Sequence, residues 1–256
     1  MPALPLRNFH HQLVDKVGRD IVAGVYAEGA QMPTEPQLAE IYGASRMIVR
    51  EAMKSLAAKG LVSIRPRTGT RVLPRAQWNL FDPVVLNWHW HDEAAFDPKL
   101  IADLMELCLA IEPLAARLAA ARASAAELAA LREAYQVMAA TSQRAAYIEA
   151  DLQFHGVVVR ACGNVFIQQL ETALSAVWKT SFQASTRSAF APDTAALKLH
   201  HKLVIAIEKH DPVGAEKAVH ALIKRATARI ESAGGAVKGD AKGGAKGRRE
   251  GRHPAR

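Results

Sequence analysis

Apolar residues recur at a helical spacing along most of the chain, with one short interruption near residue 60. Leu13, Val17, Ile21 and Val22 share one face of a segment over 8–26, before Gly29 and Pro33 break the pattern. Thr34 is an N-cap residue for a short helix turning Leu38, Ala39 and Ile41 inward, and Gly43 ends it at a tight turn. A second helix starting at Ser45 carries Val49, Ala52, Met53 and Leu56 at i, i+3, i+4 and i+7. Gly60 stops it, and "LVSIR", "PRTG" and "TRVL" then read as strand, turn and strand. From Pro98 onward the helical period returns. Ser124, Gly163, Pro192 and Asp211-Pro212 divide it into helices over 98–122, 125–141, 144–162, 164–186, 194–210 and 212–232. Ser124 with Glu127 forms a capping box, and Asn164 is placed as an N-cap. The expected fold is mainly α. A winged helix-turn-helix with a small β-hairpin wing occupies 8–75, and an all-α bundle of six or seven helices occupies 98–232.

Between the two lies a linker, 76–97, in a stretch rich in tryptophan and proline. So apolar a segment is not left loose in water, and Trp78, Leu80, Phe81, Leu86 and Trp88 are expected to pack onto a neighbouring surface. No run of residues is long and apolar enough to span a bilayer. Two cysteines, Cys108 and Cys162, form no spacing motif. Reduced thiols and a cytoplasmic location are the expectation.

The net charge of +8 is unevenly placed: +5 over 1–76, −2 over 77–235 and +5 over 236–256. A basic N-terminal module on a near-neutral body suggests a polyanion binder with a separate second function. The Gly/Lys/Arg-rich tail, 233–256, lacks apolar periodicity and is expected to be disordered. Solubilising the chain and adding non-specific DNA affinity are both open to it. Arg46 and Arg50 fall on one face near the start of the second helix, roughly a quarter turn from its apolar stripe at about 100° per residue. From that position arginines can reach guanine O6 and N7. Ser45 at the helix N-terminus favours a phosphate, while Arg65, Arg67 and Thr68 of the wing can reach the backbone or minor groove. Each arginine alone would be an ordinary solvated charge. Their order along helix, turn, helix and basic hairpin makes DNA binding the better reading.

The string "YGASRMIVREAMKSLAAKGLV", followed by "IRPRTGTRV", resembles the GntR family DNA-binding domain over residues 8–75. The resemblance implies DNA contact at Ser45, Arg46, Arg50, Arg65, Arg67 and Gly69. Pro36 departs from it, since some members carry a DNA-contacting arginine there, so operator sequence does not transfer. The phrases "LCLAIEPLAARLAA", "DLQFHGVVVRACGN" and "HHKLVIAIEKHDPVGAEKAV" resemble, in order, the FCD ligand-binding domain of the FadR subfamily. "WNLFDPVVLNW" resembles the linker of regulators responding to sugar acids of the galactonate type. The resemblance implies a homodimeric repressor on a palindromic operator, whose DNA affinity a small acid effector, such as a sugar acid, alters. That reading makes the chain a transcription regulator and not an enzyme.

Asp151 and His155 lie four residues apart in an apolar helix, so their side chains stand one above the other. Such a pair suits a catalytic dyad, half of a metal site or a core histidine satisfied by an acid. Many FCD domains bind a divalent metal through an Asp, a His four residues on and two further histidines. By that resemblance Asp151, His155 and His200 fill three positions, and Leu222 stands at the fourth. His201 and His220 point elsewhere by helical phase. One carboxylate and two imidazoles are a credible set for Zn²⁺ or another divalent ion. The alternative is a metal-free polar pocket inside which Asp151 and His155 hydrogen-bond. Cys108 stands where many FCD domains have an arginine for an effector carboxylate. Trp178, Lys179, Ser181, Ser185 and Arg187 are the candidate replacements around an effector. A metal-dependent enzyme built on Asp151, His155 and His200 and a DNA-packaging protein using the basic tail are the competing functions. No nucleophile with an oriented base supports the first.

Overall fold

In a computed structural model, residues 6–90, 97–184 and 193–243 are described. The chain divides into two compact units, Met1–Asp97 and Pro98–Arg256.

In the first unit α1 (Leu6–Val22) packs across α3 (Arg46–Ala58), with α2 (Glu35–Tyr42) against α3. Val17, Leu38, Val49, Ala52, Met53, Leu56 and Leu61 close one core. Ser45 caps α3 by accepting from the Ile48 N–H at 3.3 Å, and Gly43, in the left-handed region at φ 62°, makes the turn between α2 and α3. β1 (Val62–Arg65) and β2 (Gly69–Val72) pair antiparallel, with Val62 opposite Val72 and Arg65 opposite Gly69. The Met32 N–H donates to Thr70 O at 2.9 Å, tying the hairpin to the loop before α2.

Four expectations change here. α1 stops at Val22, short of residue 26, because Gly24 turns the chain at φ 80°. Ile41 is 57% exposed instead of inward. Leu38 and Tyr42, one turn apart, take the inner face of α2, and Tyr42 donates to Asp20 at 2.8 Å. The tryptophan-rich stretch is less a linker than part of this unit. It forms α4 (Pro83–Trp90), and Val85 and Trp88 join the same core with Trp78. Asp82 starts α4 by accepting from the Val84 N–H, and Trp88 donates its indole N–H to Asp15 at 2.7 Å. Leu86 is buried as expected and Leu80 packs against the core, but Phe81 is exposed.

The described elements of the second unit are all helices. They are α5 (Pro98–Arg122), α6 (Ala125–Ala140), α7 (Arg144–Ala161), α8 (Val165–Gln169), α9 (Glu171–Ala184), α10 (Thr194–Glu208) and α11 (Pro212–Gly243). α7 packs against α5, α6 and α9, while α11 packs against α5 and α10. The capping box of Ser124 and Glu127 forms, and Asn164 caps α8 through the Phe166 and Ile167 N–H groups. The helix expected over 164–186 is broken at Leu170 into α8 and α9. At the far end α11 runs past 232 to Gly243, drawing on the helix propensity of Ala and Lys, which the absence of apolar periodicity concealed. The rest of the basic tail lies outside the described residues.

Candidate functional site

On the first unit, Ser45, Arg46 and Arg50 are exposed along the first turns of α3. The apolar stripe of Val49, Ala52, Met53 and Leu56 anchors the opposite side in the core. The wing presents Arg65, Arg67, Thr68 and Gly69, all exposed. Arg67 sits in the left-handed region at φ 67°, unusual for a residue with a Cβ, at the tip of the hairpin. Gln31 fixes that tip by donating its amide to Thr68 O at 2.5 Å. At Gly69, φ 80°, an added Cβ would meet Gln31 Nε2 at 2.7 Å. The wing is therefore held in one shape beside an outward-facing basic helix.

Inside the second unit, α7 brings Asp151 and His155 to His200 of α10, and all three are buried. His200 Nε2 lies 3.2 Å from Asp151 Oδ1 and 3.3 Å from His155 Nε2, while His155 Nε2 is 4.0 Å from Asp151 Oδ1. The other ring nitrogens are spoken for. His200 Nδ1 lies 2.9 Å from Ala196 O, and a carbonyl only accepts, so that nitrogen carries the hydrogen. His155 Nδ1 faces Glu112 Oε2 at 3.5 Å, and Glu112 Oε1 accepts from the Trp178 indole N–H at 2.9 Å. With both Nδ1 atoms as donors, the two Nε2 lone pairs and a carboxylate oxygen face one another in the interior. That arrangement favours a positive charge among them, an ion or an added proton. Burial opposes charge on His155, yet the Glu112 hydrogen bond and the charges of Asp151 and Glu112 raise it above the ordinary histidine value.

The donor set fits a metal ion. Bonds of about 2.0 Å in a tetrahedral zinc site put neighbouring ligand atoms about 3.3 Å apart, close to two of the three spacings found. Each histidine also has the outer acceptor that orients a ligating imidazole, Glu112 for one and Ala196 O for the other. Leu222 lines the same cavity and supplies no ligand. His201 and His220 are exposed, and His201 stacks on Tyr135.

The cavity has an internal volume of about 70 Å³, several times the roughly 10–15 Å³ that one water requires by this measure. Trp178 lines it but lies stacked on the His155 ring, centroids 4.9 Å apart. Cys108 also lines it, and burial, reinforced by the Glu112 charge, raises its thiol far above the ordinary value, leaving it neutral. Lys179 is exposed and is not part of the lining. Nothing is described of the Ser181 side chain, and Ser185 and Arg187 lie outside the described residues. Sequence reasoning missed Glu112, Arg225 and Arg229. Glu112 stands one turn from Cys108 on the inner face of α5, and the two arginines follow Leu222 at i+3 and i+7 on α11. That helical phase was the available signal.

A winged helix-turn-helix followed by a helical unit whose cavity holds a few buried polar side chains defines a DNA-binding regulator with a ligand-binding body. Comparison with known proteins gives the family. The family described as "Bacterial regulatory proteins, gntR family" matches residues 9–72, and the FCD domain matches residues 103–225. The galactonate operon transcriptional repressor of Escherichia coli (strain K12) is 35% identical over 221 residues, covering 86% of this chain and 96% of that protein. The uncharacterized HTH-type transcriptional regulator YieP of the same strain is 35% identical over 222 residues, covering 85% and 94%. The solved structure of Lar, which "controls the expression of the Listeria monocytogenes agr system and mediates virulence", has a TM-score of 0.58 at 16% identity, over 91% of this chain and 99% of that one. That last likeness concerns the fold. The chain belongs to the GntR family, in its FadR-type branch with an FCD domain. It is a transcription regulator and not an enzyme. No described helix is long and apolar enough to cross a membrane.

Proposed function

We propose that the chain is a repressor that binds a palindromic operator as a homodimer and is released by a small carboxylic acid, of the sugar-acid class, bound in the cavity of the second unit. Arg46 and Arg50 enter the major groove, Ser45 at the start of α3 meets a phosphate, and Arg65, Arg67, Thr68 and Gly69 follow the adjacent backbone or minor groove. Asp151, His155 and His200 hold Zn²⁺ or a similar divalent ion. Such an ion supplies Lewis-acid attraction for effector oxygens. Asp151 contributes the charge, Glu112 and Ala196 O fix the two imidazoles, and Trp178 closes one side against the His155 ring. The name of the 35%-identical galactonate operon repressor supports both the sign of regulation and the class of effector.

The observation that carries the reading is a buried cavity in which three potential ligand atoms converge within 4.8 Å of one another. A metal-free cavity in which His155 holds a proton is the second reading, favoured by the upward shift at that residue. Melting the full chain with and without Zn²⁺, and after chelation, separates them: ion binding raises the midpoint, and a proton-filled cluster leaves it unmoved. For the DNA unit, a footprint on the operator should disappear when Arg46→Ala is combined with Arg50→Ala. Persistence of the footprint would remove the assigned contacts.

A further inference from the structure

Arg225 and Arg229 stand one turn apart on α11 and line the same cavity as Asp151, His155 and His200. Their shared partner is Asp193. Arg225 donates from Nε to Oδ2 at 2.6 Å and from Nη2 to Oδ1 at 2.8 Å, and Arg229 Nη1 reaches Oδ2 at 3.3 Å. The same carboxylate caps α10. Its Oδ1 accepts from the Ala195 N–H at 3.0 Å and the Ala196 N–H at 3.2 Å. Ala196 is also the residue whose carbonyl holds His200. One acidic side chain thus pairs with both cavity arginines and starts the helix that supplies a cluster residue.

We propose that the Arg225–Arg229 pair is the carboxylate subsite of the cavity and that Asp193 holds it as an internal stand-in for the effector. A small hydroxy acid enters by exchanging its carboxylate for that of Asp193, with its hydroxyl oxygens toward Asp151, His155 and His200. This rests on the effector reading of the cavity and adds where the anion docks and which group it displaces. The chemistry selects a carboxylate, because two coplanar oxygens match the two parallel N–H donors that Arg225 now offers Asp193. A neutral sugar offers no such group. Solvent reaches the exchange from the arginine side, since the Arg225 side chain is 42% exposed and that of Asp193 17%. Its consequence is internal. Once Asp193 leaves, the Ala195 and Ala196 N–H groups lose their cap, and the first turn of α10 loosens while the ligand holds α11. The cavity then reports occupancy through the helix that bears His200.

Asp193→Asn tests this in the full chain, because asparagine keeps the capping oxygen and the volume while removing the charge. The probes are galactonate, gluconate and lactate, with galactose as the neutral control, read by calorimetry and by hydrogen exchange at the start of α10. Asp193→Asn should bind an acid about tenfold more tightly than wild type, the scale of one charged hydrogen bond released. Arg225→Ala with Arg229→Ala should lose acid binding while keeping wild-type helical content. Acid should speed exchange at Ala195 and Ala196 in wild type, and galactose should not. If acids bind wild type and both variants equally, the subsite is wrong and the effector cavity stands. If the arginine variant loses binding but Asp193→Asn gains none, the arginines keep their role and the stand-in is refuted. If no acid binds wild type or Asp193→Asn, the acid-effector reading fails and the subsite with it.

Discussion

Leu222 is 7% exposed and lines the cavity beside three residues with metal-ligand chemistry, so its side chain decides how complete that set can be. Leu222→Ala would only enlarge the space. Leu222→His should add a donor, raising Zn²⁺ affinity by at least about tenfold, since even an outer-sphere partner of a ligand changes affinity by that much. Competition against a chromogenic chelator measures it, and an unchanged affinity would mean that residue 222 does not reach the ion. His89 poses a different single-residue problem. It is 1% exposed, neither ring nitrogen has a hydrogen-bond partner among the described residues, and its ring lies against Trp78. Burial, with the Arg75 charge, lowers it from 6.5 to about 4, with Asp97 opposing. The folded unit therefore keeps His89 neutral while the unfolded chain takes up a proton near pH 6.5. Stability is full above that pH, is lost as pH falls from about 6.5 to 4, and levels off below. The loss is about 3 kcal/mol for a shift of this size. Unfolding midpoints of the full chain across that window should flatten in His89→Leu, and equal slopes in both proteins would refute the assignment.

The helices show why some of the fold could be read in advance and some could not. The recognition helix was legible because its apolar stripe, its cap at Ser45 and its exposed arginines all agree on one phase. α2 was less so, since its eight residues leave the choice of inner face to tertiary partners, and Tyr42 took the place assigned to Ile41. α4 was hidden by the prolines and tryptophans around it, although the burial of Trp78, Leu86 and Trp88 was foreseen. Within the cavity, the acid and the histidines announced themselves by type and spacing. Glu112, Arg225 and Arg229 did not, because a lone glutamate or arginine on a helix reads as solvated surface until its partners elsewhere in the fold are known. The packing of α1 on α4 offers a test at this scale. At Gly18 an added Cβ would come within 2.3 Å of the Trp88 ring, which is itself held by Asp15. Gly18→Ala should therefore destabilise the first unit by about 1–3 kcal/mol, the usual cost of overpacking. Denaturant unfolding followed by tryptophan fluorescence reports it. A stabilised variant, as expected for Gly→Ala in an open helix, would mean that Trp88 can move aside.

At the scale of the whole chain, positive charge is concentrated at the two ends, +5 over 1–76 and +5 over 236–256, around a body of −2. The first of these regions carries its charge on a helix and on a wing whose tip Gln31 holds at Thr68 O, while 244–256 lie outside the described residues. Charge without fixed geometry attracts phosphates and cannot choose among sequences. The two ends should thus contribute separable terms to operator binding. Deleting residues 236–256 should weaken binding to specific and unrelated DNA alike, and reduce the slope of log K against log salt by roughly 0.9 for each phosphate the tail neutralises. The operator footprint and its response to acid should survive the deletion. Titrations of the full and shortened chains on both DNAs, at several salt concentrations, measure the two terms together. A tail that reads sequence would instead show a larger loss on the operator than on unrelated DNA. Loss of the footprint itself would shift the chain toward packaging DNA without selecting it, leaving α3 and the wing with no role of their own.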